Sequence, residues 1–181
     1  MFLISRRHLL LCSMSAAVAA AADAADSDPC TRFTWDVSQE LAVMKQTPKP
    51  VSGATKADVG VPMLQVGKLY RLRLAPQSTV SFAVTPEKPT LDDGAHAGLV
   101  RFHAARPGRY RVSITSGHWI DVVDGSSAIS SRDFQGRRGC ERPHKIVEYE
   151  LSRGDMTVQL SGAAAREVLI AVTRVDAGDA P

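Results

Sequence analysis

The feature that most constrains this chain is strict alternation over Ile146 to Ser161, where Val147, Tyr149 and Leu151 take one phase and Ile146, Glu148 and Glu150 the other. Ser152 to Asp155 then break the pattern, and Met156, Val158 and Leu160 alternate with Thr157, Gln159 and Ser161. A period of two places successive side chains on opposite faces of an extended backbone, so both arms are predicted as half-buried antiparallel strands. The simplest pairing is a hairpin through the Ser152–Asp155 turn, with one face on a core and the other in water. Arg153-Gly154-Asp155 is read as turn chemistry, not as an adhesion motif.

The same period recurs upstream. Tyr70, Leu72 and Leu74 alternate with Leu69, Arg71 and Arg73; Val80, Phe82 and Val84 with Thr79, Ser81 and Ala83; Val100, Phe102 and Ala104 with Arg101 and His103. Pro107-Gly108 turns the chain into Tyr110, Val112 and Ile114, followed by a strand at 119–124. Residues 167–175 are apolar on both faces over Val168 to Val172, as an interior strand would be. About eight short strands with turn chemistry between them predict an all-β fold, an antiparallel β-sandwich of jelly-roll kind. Ahead of it, residues 34–46 have the spacing of a short helix, with Thr34 as cap and Val37, Leu41 and Met44 on one face. Such a helix persists only when docked. The proline- and glycine-containing stretch 47–62 reads as a loop. The expected organisation is a leader over 1–24, a helix-and-loop preface over 25–64, one sandwich domain over 65–176 and a frayed tail over 177–181.

The leader places the chain outside the cytoplasm. Arg6 and Arg7 precede a short apolar, alanine-rich run, and small residues at Ala20, Ala22 and Ala24 form an A-x-A cleavage pattern. The run is too short and too rich in alanine for a membrane span, so no transmembrane segment is expected in the mature protein. Ser5-Arg6-Arg7-His8-Leu9-Leu10 resembles a twin-arginine signal, with Leu9 in place of the usual phenylalanine. A general secretory signal that happens to carry paired arginines is the other reading. Both imply a periplasmic or secreted protein. Cys30 and Cys140 survive removal of the leader, and an even count in an exported chain predicts a disulfide between them.

Charge narrows the partners. The formal net charge of +3 falls to about +2 once residues 1–24 are removed, too little for a nucleic-acid surface. The positive residues nonetheless gather around Cys140: Arg132, Arg137, Arg138, Arg142, His144 and Lys145. Held by a disulfide, that loop would present fixed guanidinium groups to an anionic glycan or protein partner. His96, His103 and His118 are the residues that could hold one transition metal ion if the fold gathers them. No Gly-x-Ser-x-Gly elbow, P-loop or dinucleotide fingerprint occurs, so no catalytic residue is assigned.

Ala105 to Val112 (Ala-x-Pro-Gly-x-Tyr-x-Val), with Leu69 to Leu72 and Met156 to Leu160, resembles the bacterial prepeptidase C-terminal-like β-sandwich domains over residues 65–175. That resemblance implies a non-catalytic binding or accessory module. Unlike the usual setting of those domains, no enzyme domain is expected within these residues beside the sandwich. The Cys30–Gln46 preface and the segment 136–145 also look like small exported bacterial proteins, some of them called homogentisate 1,2-dioxygenases. That likeness implies a metal-dependent periplasmic enzyme with two histidines and one carboxylate on iron. No His-x-Asp or His-x-Glu pair on a strand supplies such a site here. The expected function is therefore an exported binding module, with a metal-dependent enzyme as the alternative.

Overall fold

A computed structural model describes residues 28–88 and 94–175, so the leader and the tail lie outside the described residues. One helix, α1 (Ser38–Met44), precedes twelve strands. These are β1 (Lys49–Ser52), β2 (Met63–Leu64), β3 (Leu69–Arg73), β4 (Ala75–Pro76), β5 (His96–Ala104), β6 (Gly108–Ile114), β7 (Trp119–Asp124), β8 (Ser127–Ile129), β9 (Asp133–Gly136), β10 (Lys145–Leu151), β11 (Gly154–Ala163) and β12 (Glu167–Arg174). The first sheet runs β1-β3-β12-β6-β10-β9 and the second β2-β5-β11-β7-β8, with β4 also on β5. Most pairs are antiparallel; β1 on β3 and β2 on β5 are parallel, so both sheets are mixed. The fold is the expected all-β sandwich with a short N-terminal helix, built from twelve strands where about eight were expected.

The inward phase read from the sequence is the phase of the core. Tyr70, Leu72, Leu74, Val100, Phe102, Ala104, Tyr110, Val112, Ile114, Val147, Tyr149, Leu151, Met156, Val158 and Leu160 all belong to one buried cluster between the sheets. Burying such a side chain contributes roughly 1.5–3 kcal/mol, and this layer holds the two sheets together. Tyr149 spans the gap, its hydroxyl donating to the Ile120 carbonyl at 2.9 Å.

Strand pairing differs from the expected hairpin. β10 pairs with β6 and β9, whereas β11 pairs with β5 and β7 in the other sheet. The turn at 152–153 is therefore an arch between sheets, and so is the Pro107-Gly108 turn. The arches lie side by side, because Leu151 faces Gly108 and Gly154 faces Ala104. Gly108 and Gly154 open the outgoing strands at φ 136° and 153°, a backbone region that side-chain-bearing residues rarely adopt.

Three further corrections concern local structure. Residues 79–84 are not a strand: Gln77–Thr79 is a 3₁₀ turn and the following backbone is irregular. Gln159 explains this, since its amide oxygen accepts from the Ala83 and Val84 N–H groups and its amide nitrogen donates to the Val84 carbonyl. The side chain occupies the bonds that a neighbouring strand would have made. The helix is shorter than expected, capped at Val37 with no side-chain bond, and Asp36 rather than Thr34 accepts from the Ser38 N–H. The stretch 47–62 carries β1, and the stretch after Gly125 carries β8 and β9.

The outer face of the first sheet is covered in part. Val43 and Met44 of α1 pack on Leu69, Leu169 and Ala171. The strap formed by residues 28–44 is tied at its start by the Cys30–Cys140 disulfide, which bridges a sequence separation of 110. Thr34 and Gln135 exchange two hydrogen bonds further along. Beneath the strap lies a buried ion cluster. Arg111 donates from Nε to Glu148 at 2.9 Å and from Nη1 to the Asp36 carbonyl at 2.8 Å, and its Nη1 lies 3.4 Å from Glu40. Thr173 donates to the other Glu40 oxygen, and the Trp35 ring lies 4.7 Å from the Arg111 guanidinium.

Candidate functional site

Three concavities run in series along the outside of the first sheet. The largest, about 410 Å³, is lined by Arg71, Thr115, Glu141, Arg142, Glu167, Val168 and Leu169. Arg71 and Glu167 also line a neighbouring one of about 220 Å³ against Pro50, Val51 and Ser52 of β1. Arg142 also lines a third, of about 270 Å³, between the disulfide and Met44. Strand geometry puts Arg71 there: it is on the outward phase of β3 and sits opposite Leu169 on β12. The covalent link at Cys140, two residues earlier, anchors the segment that carries Arg142. Both guanidinium groups are exposed, and neither has an ion-pair partner among the described residues. Glu167 is shared with Arg73 at 3.8 Å. Two planar five-donor groups facing one groove suit bidentate recognition of a carboxylate, sulfate or phosphate.

The basic loop predicted from the sequence is divided by the fold. Arg132 lies 3.3 Å from Glu150 and 3.8 Å from Glu148. Arg137 donates to the Arg32 carbonyl at 2.5 Å and lies 5.8 Å from the Phe33 ring, so it fastens the strap. Lys145 turns inward and donates to the His118 carbonyl at 2.6 Å. Arg138, Arg142 and His144 remain exposed, and of these only Arg142 lines a concavity described above. Sequence reasoning did not find Arg71, because nothing local to β3 distinguishes it from Arg73.

The three histidines do not gather. His96 and His118 flank the end of β11, where Ala163 sits opposite His96 and Ser161 opposite Trp119. His103 is seven residues from His96 along β5, roughly 23 Å at the rise of a strand. It is exposed and paired with Asp155 at 2.6 Å. Among the described residues no group of three metal-binding side chains occurs. Asp92 and Asp93, which neighbour His96 in sequence, lie outside the described residues.

His118 is fully buried, and its Nδ1 meets the Ser116 hydroxyl at 2.7 Å. Burial holds its pKa down to about 4, with Lys145 and His96 adding to the effect. Burial also lowers the Lys145 ammonium, helped by the nearby Lys88. Tyr149 is shifted the other way, raised by burial and then by Asp121. The neutral ring of His118 is thus set up as a structural group. The chain matches no protein-family model and no curated protein sequence. Among the described residues no helix is long and apolar enough to cross a membrane.

Proposed function

We propose that this protein is an exported, non-catalytic β-sandwich binding module of the bacterial periplasm, and that the Arg71–Arg142 groove takes an anionic group borne by a glycan or protein partner. One observation carries the reading: two exposed guanidinium groups without ion-pair partners among the described residues share a groove of about 410 Å³. The leader and the disulfide support export, since such bridges persist in oxidising compartments. Thr115 supplies a hydroxyl to the groove, and Leu169, on the outer phase of β12, supplies an apolar contact. Glu141 and Glu167 limit the groove to ligands of low charge density, because a polyanion would meet both carboxylates.

Sialyllactose, a glycan bearing a single carboxylate, tests this by isothermal titration. Binding should weaken at least tenfold in Arg71→Glu and again in Arg142→Glu, each substitution removing a charged contact and adding a repulsive one. A periplasmic protein partner captured by the parent chain and lost in both variants would support the protein arm. Capture or binding unchanged by both reversals would overturn the groove assignment.

A further inference from the structure

A second site lies at the opposite side of the 140–145 segment, on the second sheet. Lys88 and Lys145 come from stretches 57 residues apart, yet both ammonium groups approach the Trp119 ring, at 4.7 Å and 5.6 Å from its centroid. Those distances place the two charges within about 10 Å of each other. Like charges this close repel unless something neutralises them. Neither has a carboxylate partner among the described residues. Of the acids near this face, Asp121 accepts from the Trp119 indole at 2.7 Å and from Gln159 at 3.1 Å, and Glu87, beside Lys88 in the chain, makes no ion pair with either lysine among the described residues. Lys145 is also half-buried, with one of its three donors spent on the His118 carbonyl. The depression of its ammonium by burial and by Lys88 agrees with a cation that lacks a counterion.

We infer that Lys88, Lys145 and Trp119 form a binding site for a tetrahedral oxyanion, a phosphate or sulfate group. Two flanking cations favour a group carrying more than one negative charge, since a single carboxylate would neutralise only one of them. The indole, within 4.7 Å and 5.6 Å of the two ammonium groups, forms one wall of the site. Binding draws the ammonium groups from the ring toward the anion, so Trp119 reports occupancy. The site shares no residue with the Arg71–Arg142 groove and stands without it.

The test uses the full mature chain at low ionic strength. Inorganic phosphate, inorganic sulfate and a sulfated heparin disaccharide are titrated against chloride at matched ionic strength. Emission is read in a Trp35→Phe background, where Trp119 is the sole tryptophan, and heat is read on the unsubstituted protein in case that background fails to fold. The expected result is saturable binding, weakened at least tenfold by Lys88→Gln and by Lys145→Gln and unchanged by Lys68→Gln, a distant exposed lysine. Saturation by the inorganic ions identifies a free-anion site, and saturation by the disaccharide alone identifies a group read on a glycan; either supports the site. A response that follows ionic strength equally for chloride, or saturable binding indifferent to both lysine variants, overturns it.

Discussion

Replacing Arg111 with methionine tests whether the charged cluster under the strap holds the N-terminal segment in place. The Arg111 and Glu40 side chains are 3% and 1% exposed, so water cannot take over the role of a lost partner. Removing one member of a buried ion pair typically costs about 3–5 kcal/mol, because the remaining charge stays desolvated. The two carboxylates are not equally affected. Glu148 retains Arg109 at 3.5 Å and Arg132 at 3.8 Å, whereas Glu40 retains only the Thr173 hydroxyl among the described residues. The cost therefore falls on Glu40, and a second substitution, Glu40→Gln, should recover at least half of it by removing the stranded charge. Loss of the Arg111–Trp35 stacking, worth about 0.5–1 kcal/mol, is not recovered. Urea unfolding followed by circular dichroism measures all three variants without the screening that an ionic denaturant introduces. Arg111→Met alone should be about 3–5 kcal/mol less stable, and the double variant within about 2 kcal/mol of the parent. A single variant within about 1 kcal/mol of the parent, or a double variant worse than the single, would refute the reasoning.

Two further outcomes follow from the same interior. His118 is neutral and buried with a pKa near 4 against 6.5 when unfolded, so the unfolded chain binds the extra proton first and stability falls as pH drops below 6.5. About 2 kcal/mol should be lost between pH 7.5 and 5, read from urea midpoints, and the slope should vanish in His118→Gln; an unchanged slope there would assign the effect elsewhere. Opening the disulfide with Cys30→Ser and Cys140→Ser removes a link across 110 residues and should cost about 2–5 kcal/mol, with Trp35 emission shifting to the red while the strand signal persists; an unshifted Trp35 would mean that the strap stays docked without the covalent tie.

The sequence carries the facing of the strands more clearly than their pairing, and the reason is physical. Alternation records which side of a backbone is dry, and Val147, Tyr149, Leu151, Met156, Val158 and Leu160 are dry in a hairpin and in an arch alike. Choosing between the two requires the partner strand, and β5 and β6 lie tens of residues upstream of β11 and β10. Arg111 and Glu148 fall on the phase that alternation alone assigns to solvent, for a similar reason. They do occupy the outer phase, but a strap tied by a remote cysteine covers that face. The disulfide itself was legible because only two cysteines remained to pair. The groove was half legible: Arg142 belongs to a visible basic cluster, while Arg71 joins it only through the β3-β12 register.

The way the fold splits that basic cluster bears on how the two proposed sites relate. Lys145 is the first residue of β10, paired with Ile114 on one side and Gly136 on the other, so the ladder fixes where its side chain emerges. Arg142 stands three residues earlier, outside any strand, and the bridge at Cys140 is what anchors it. One short segment thus directs a guanidinium to the outer face of the first sheet and an ammonium to the second. The first depends on a covalent tie and the second on strand pairing. An anionic group bound in the groove is therefore coupled to the oxidation state of the cysteines, and an oxyanion bound at Trp119 is coupled to the integrity of the sandwich. A chain built this way can lose the first interaction and keep the second, because no residue of the Lys88–Trp119–Lys145 site belongs to the strap.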